Sequence, residues 1–406
     1  MQENKNGYKK GLITGCLCTA AILILVFAVF LTSTGRIDWK SGKMTAGDVV
    51  KSESNNDVMK KASKLTRYIN EYSLNEAEDE KLVSGIYKGM VESLGDVYSA
   101  YYTKEEYTKM MEETTGEYCG IGVLMQADTK TGVISIVRVF EGSPAEKAGL
   151  KAGDVFYKVT DKDVTGIDSD KLVAMIRGEE GTKVKIEVYR ASEKRYVTTE
   201  VERKKVEVPT VTSKMLSNQV GYIQITEFEE VTVDQYKKAI EDLKKQGAKG
   251  IVFDLRDNPG GLLSSVTEML DYILPKGLLV YTEDKKGKRE EYNSDEKCLD
   301  IPFSVLVNGN SASASEVFSG AVKDYGAGKL VGTKTFGKGI VQRIFPLEDG
   351  SAIKLTTAKY YTPKGINIHG TGIEPDVKVE AKDGDVAGEK GKDTQLEKAV
   401  EALNIK

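Results

Sequence analysis

Between residues 57 and 113 apolar positions recur at spacings of three and four, in VMKKASKLTRYI and KLVSGIYKGMVESL, and predict amphipathic helices. From Tyr118 the pattern shortens. YCGIGVLMQ, GVISIVRVF and KVKIEVYR are short apolar or alternating runs parted by glycine-bearing turns, which predicts a small β-rich module over 116–204. From 219 onward strands and helices take turns: the strand VGYIQI, the helix VDQYKKAIEDLKKQG, the strand GIVFDL, then the loop RDNPGG opening the helix LLSSVTEMLDYIL. A strand over 303–308 and a helix over 314–325 continue the series, and this alternation predicts an α/β layer over 205–380. The polar stretch 381–406 carries a last helical run, DTQLEKAVEAL.

The N-terminus follows a different rule. Gly11 to Thr32 carries no charge and follows Lys5, Lys9 and Lys10, so residues 1–32 read as a cytoplasmic stub and a single membrane-crossing helix with its N-terminus inside. FAVFLTSTG offers a poor cleavage pattern, which predicts an uncleaved anchor. ITGC resembles a lipoprotein cleavage box, but the apolar run follows Cys16 instead of preceding it. A polar linker, 33–56, would then lead to an extracytoplasmic remainder, beginning with the helical region 57–115 packed near the membrane.

Composition narrows the function. The 406 residues give room for roughly two or three domains. With 58 basic and 62 acidic side chains and no basic stripe, nucleic acid is not an expected partner. Cys16 and Cys18 lie in the apolar run, leaving Cys119 and Cys298, whose pairing the sequence leaves open. No Cys/His cluster has metal-ligand spacing, so neither metal nor cofactor is expected.

Candidate chemistry sits in three segments. NGNSASASEVF sets Ser311, Ser313 and Ser315 on alternate positions, with Ser313 at the start of a helix. The chain contains a single histidine, His369, in the glycine-rich GINIHGTGIEPD. GTKTFGKGIVQ flanks Lys338 with glycines and places Gln342 four residues later. A lysine that loses its proton in a poorly solvated site can serve a serine as general base, which makes histidine dispensable. The NPGG loop, Asn258 to Gly261, brings free amides to a helix N-terminus, where developing negative charge is stabilised. Neither nucleotide-binding glycine signature stands at a strand-to-helix junction. Taken singly, each segment also has a plain reading: a helix cap, a solvated loop lysine, a structural turn. His369 is the alternative base.

Taken in order, the segments carry a resemblance. SPAEKAGLKAGD and GIGV make 116–204 similar to a PDZ domain, in which the backbone of Gly120, Ile121, Gly122 and Val123 would meet an added peptide strand and its terminal carboxylate. That module followed by DLRDNPGG, NGNSASASEVF, GTKTFGKGIVQ and GTGIEPDVKVE resembles the carboxyl-terminal processing peptidases, or tail-specific proteases, from about residue 80 to the end. The resemblance implies a multidomain α+β and α/β protein: a crotonase-like peptidase core, a PDZ module inserted before it, and a cap built from N- and C-terminal segments. It implies a Ser/Lys serine endopeptidase that captures proteins by their free C-termini, needs no cofactor and leaves room for a homo-oligomer. Carried over residue by residue, the nucleophile falls on Ser313, the base on Lys338 and its orienting residue on Gln342. The oxyanion donors fall on the backbone of Ala314 and of Gly260 or Gly261. Arg177, expected just after the peptide-binding helix, is the candidate for relaying tail binding to the Lys338/Gln342 region. Cys119 departs from the larger apolar or aromatic residue expected beside the carboxylate loop. A membrane-tethered PDZ scaffold with an inactive peptidase domain is the alternative function, and a general carboxylesterase a third. The intact Ser313, Lys338 and Gln342 set argues against the scaffold.

Overall fold

The computed structural model describes residues 37–38, 43–44, 55–389 and 392–405, so the apolar run 11–32 lies outside the described residues. Among the described residues no helix is long and apolar enough to cross a membrane. Residues 1–86 and 87–406 form separate compact units. The first contains a two-strand ladder, Ile37–Asp38 with Lys43–Met44, and the helix Asn55–Tyr72.

In the second unit the expected helical run is interrupted. Ala100–Tyr102 is a strand, because its aromatic pair finds a ladder partner in residues 352–354, far away in the sequence. Helix Lys104–Thr115 follows at once. Its capping box is reciprocal: Thr103 Oγ1 accepts the Glu106 amide at 3.3 Å and the Glu106 carboxylate accepts the Thr103 amide at 2.9 Å. Gly116, in the left-handed region at φ 72°, ends it.

The β-rich module is an antiparallel sheet in the order 195–202, 183–190, 154–159, 134–139, 123–127, with a short strand 162–163 beside 154–159. Helices Pro144–Lys147 and Ser169–Ile176 accompany it. Ile121, Ile136, Leu172 and Ile186 are among the buried side chains of its core. Strand 123–127 ends the sheet, so its outer edge is free to receive another strand. A separate ladder pairs 117–120 with 204–207 where the chain enters and leaves the module.

The core domain is built in chain order from β1 (Val211–Met215), β2 (Val220–Ile225), α1 (Thr232–Lys245), β3 (Gly250–Asp254), α2 (Leu263–Ile273), β4 (Gly277–Asp284), β5 (Arg289–Ser294), β6 (Phe303–Val307), α3 (Ala314–Tyr325), β7 (Gly328–Gly332), β8 (Ile340–Pro346), β9 (Ala352–Tyr361), β10 (Val377–Lys378) and α4 (Thr394–Glu401). One sheet runs β1-β2-β3-β6-β7-β10, parallel except for β1. Its strands are apolar on both faces because both are covered. Ile223, Phe253 and Val305 face the cluster that includes α1, α2 and α3, while Tyr222, Val252 and Leu306 pack with Leu396 and Ala399 of α4. The C-terminal helix is thus a layer of the core and not part of a cap. The second sheet, β5-β4-β9-β8, is antiparallel, and Ala100–Tyr102 joins it on β9.

Candidate active site

The three serines separate by burial. Ser311 and Ser315 are fully buried, and their hydroxyls donate to the carbonyls of Leu255 (2.7 Å) and Asn258 (3.0 Å), tying the α3 entry turn to the loop after β3. Ser313 is half-buried and lines a cavity of about 180 Å³ with Gly261, Leu263, Val317, Ile340 and Gln342. Its backbone stands at φ 54°, ψ −113°, a region an L-residue occupies only when its surroundings enforce it.

What enforces it is Glu316, which has no exposed surface. Its carboxylate accepts the amides of Ser313 (3.0 Å), Gly337 (2.7 Å) and Lys338 (2.7 Å) and the hydroxyl of Thr335 (2.6 Å). Tyr360 repeats the bridge, its hydroxyl reaching the carbonyls of Ser313 (3.0 Å) and Lys338 (2.6 Å). Neither residue is in the site expected from sequence. The E of SASASEVF carried a weak signal as the third residue after a helix cap; Tyr360 carried none.

The Lys338 side chain is partly buried, with its Nζ 4.6 Å from the centre of the Tyr98 ring. Burial, then the positive charge of Lys354, hold its pKa below the ordinary lysine value, against the pull of Asp96. Among the described residues no hydrogen bond joins Lys338 Nζ to Ser313 Oγ; Nζ rests on Tyr98 instead. Gln342 Nε2 donates to Thr356 Oγ1 at 3.1 Å, across the β8–β9 ladder.

Of the two glycines the sequence left undivided, Gly260 donates its amide to Asn258 Oδ1 at 2.8 Å. Among the described residues the amides of Gly261 and Ala314 have no partner, and both residues line the Ser313 cavity. Gly260 cannot be replaced easily: at φ 111° an added Cβ would lie 2.9 Å from Ser313 Cβ. His369 is exposed.

In the β-rich module Ile121 and Gly122 accept the amides of Ala145 (2.8 Å) and Phe140 (3.0 Å), and Gly120 closes the 117–120 strand opposite Lys204. At Gly122 (φ 81°) a Cβ would lie 2.4 Å from Ser143 Cβ, and Val123 begins the free edge strand. Arg177 follows the helix Ser169–Ile176 as its C-cap. Its guanidinium pairs with Glu112 and lies 4.6 Å from the centre of the Tyr118 ring, so its direct contacts are with the helix 104–115 region and not with Lys338 or Gln342. Cys119 and Cys298 are free thiols, and burial raises the Cys119 pKa.

Residues 219–379 match peptidase family S41, 135–190 match the PDZ domain, and 24–106 match the N-terminal domain described for the activating protease CtpB. The chain is 41% identical over 325 residues to the carboxy-terminal processing protease CtpA of Bacillus subtilis, covering 80% of this chain and 69% of that one. It is 37% identical over 369 residues to a probable CtpA-like serine protease of Staphylococcus saprophyticus, covering 90% and 72%. A solved structure of a putative S41 protease from Bacteroides fragilis, at 18% identity and a TM-score of 0.50, covers 84% of this chain and 96% of its own, a likeness of fold alone.

Proposed function

The chain belongs to peptidase family S41 and is a serine-type carboxy-terminal processing peptidase; from this premise we propose that it cleaves protein tails by a Ser/Lys acyl-enzyme mechanism. Neutral Lys338 takes the proton of Ser313 Oγ as Oγ attacks the scissile carbonyl. The amides of Gly261 and Ala314 receive the oxyanion, an interaction worth roughly 3 kcal/mol per donor in other hydrolases. Collapse breaks the C–N bond, and the leaving amine takes the proton from Lys338. Water, deprotonated by Lys338, then releases the acyl group and restores Ser313. The supporting observation is the double bridge: one buried carboxylate and one hydroxyl hold the backbones of both residues. Gln342, next to the Ser313 cavity, orients the lysine once it leaves Tyr98.

The PDZ module captures the free C-terminus of the substrate on strand 123–127, with the Gly120–Val123 backbone receiving its carboxylate. Tail binding favours the arrangement in which Lys338 turns from Tyr98 to Ser313. Its contiguous route runs from Arg177 through Glu112 and helix 104–115 to strand 100–102 and thus to Tyr98. The catalytic part works outside the cytoplasm on the anchor 11–32.

Peptide cleavage tests this reading. Ser313→Ala and Lys338→Ala each abolish turnover with the fold intact, and His369→Ala retains it. Amidating a substrate C-terminus slows cleavage; equal rates for amidated and free-acid peptides over a range of concentrations would remove carboxylate recognition.

A further inference from the structure

One edge of β9 is interrupted. Strand Ala100–Tyr102 pairs with Ala352–Lys354, and β4 pairs with Ala358–Tyr361, both on the side of β9 opposite β8. Between them Leu355, Thr356 and Thr357 have no strand neighbour on that side. A cleft of about 630 Å³ opens there. Leu94, Asp96 and Ser99 form one wall, and the tip of the β4–β5 hairpin, Lys285 to Lys288, forms the other. Thr357 Oγ1 in this stretch is buried without a partner.

Residues that line the cleft are hydrogen-bonded or adjacent in sequence to residues of the candidate active site. Thr356 Oγ1 receives Gln342, the Thr356 amide donates to Ser99 Oγ at 3.1 Å, and Tyr98, beside Ser99, carries Lys338. Its charges are unequal in availability. Glu290 is paired with Arg343 at 2.7 Å, Asp284 accepts the amides of Lys286 and Lys288, and Asp96 accepts the Tyr98 amide and the Ser99 hydroxyl. Lys285, Lys286 and Lys288 are exposed and belong to no ion pair among the described residues. The carboxylates of Asp284 and Asp96 keep their charge but are held by hydrogen bonds, whereas the three lysine amines extend into solvent and leave the lining with a small positive excess, three lysines and Arg343 against Asp96, Asp284 and Glu290.

We propose that this cleft extends the substrate groove and binds an extended stretch of the protein substrate bearing Asp or Glu side chains, a few residues from the scissile bond. The inference rests on the peptidase reading above and adds a substrate class to it. The Thr356 amide of the gap is taken by Ser99, so side chains and not strand addition carry the recognition: acidic side chains suit exposed lysines, whose field reaches only about 10 Å at moderate salt.

The test uses the active protein and three peptides that are identical around one cleavage site and carry acidic, neutral or basic residues on its flanks. The acidic peptide is expected to be cut with about tenfold higher kcat/KM than the neutral one at low ionic strength, the advantage fading with added salt. Combining Lys285→Glu, Lys286→Glu and Lys288→Glu is expected to erase or invert that preference, read as the ratio of acidic-peptide to neutral-peptide kcat/KM within each enzyme. Equal cutting of all three peptides by the wild type overturns the inference and leaves the peptidase reading standing. An acidic preference that survives in the triple variant likewise overturns the assignment to this cleft. Failure of the wild type to cut any of the three peptides overturns both.

Discussion

Ser313 and Lys338 hang from the same buried carboxylate, that of Glu316, which accepts both of their backbone amides. The backbone separation of the proposed nucleophile and base is therefore held by this side chain together with the Tyr360 hydroxyl. Glu316→Gln turns an NH₂ toward donors that need an acceptor. The expected result is a fall in kcat of about a hundredfold with KM little changed, the scale of a misplaced catalytic group. Steady-state kinetics on a short peptide check it, with circular dichroism to verify the fold.

Lys338 has its pKa lowered first by burial and then by Lys354. In the proposed mechanism the neutral amine is the active form, so turnover should rise with pH through a midpoint below the ordinary lysine value. Lys354→Gln removes the repulsion, so the Lys338 pKa rises and the midpoint moves to higher pH. Activity near neutrality falls while the limiting alkaline rate is unchanged. A pH–rate profile of kcat/KM that does not move would refute the role given to Lys354.

Glu229 is a second group whose titration matters. It is 7% exposed, Oε2 has no partner, and a Cβ on Gly116 would touch that oxygen. Burial first, then Glu227 and Glu113, raise its pKa to about 8. The folded pKa lies above the unfolded one, so this carboxyl's contribution to stability is fully present below about pH 4.5, where both states are protonated, and is lost as pH rises through about 8. Glu229→Gln keeps a neutral group throughout. Its stability relative to wild type should climb across that window, by on the order of 2 kcal/mol in urea unfolding.

Arg256 joins the end of β3 to the C-terminal segment. It is 9% exposed and pairs with Asp254 and with Asp393 at 2.7 Å, while Tyr222 donates to Asp254 at 2.7 Å. Arg256→Met strands two buried carboxylates, and the expected loss is about 3–5 kcal/mol. Limited proteolysis should then cut within 381–392 before the rest of the core, because α4 is released from the sheet it covers.

The sequence determined the elements whose signal is local. Helix 314–325 follows from a turn and an apolar run and the parallel strands from short doubly apolar stretches, while the order of the segments that hold Ser313, Lys338 and Gln342 resembled a family. It did not determine what lies between segments. Strand 100–102 reads as helix until residues 352–354 pair with it. Gly260 and Gly261 look alike until Asn258 takes one amide and leaves the other. Glu316 reads as an ordinary helix-capping acid, and Tyr98 and Tyr360 as aromatic residues of no particular role. Only the packing of α3, β8, β9 and the 96–102 segment around one buried site made them the bridges and the rest that position Lys338. Periodicity reports how a segment meets its immediate surroundings. Hydrogen bonds between distant segments depend on the close approach of whole elements, and burial gives each of those bonds its value by excluding the water that would otherwise satisfy it.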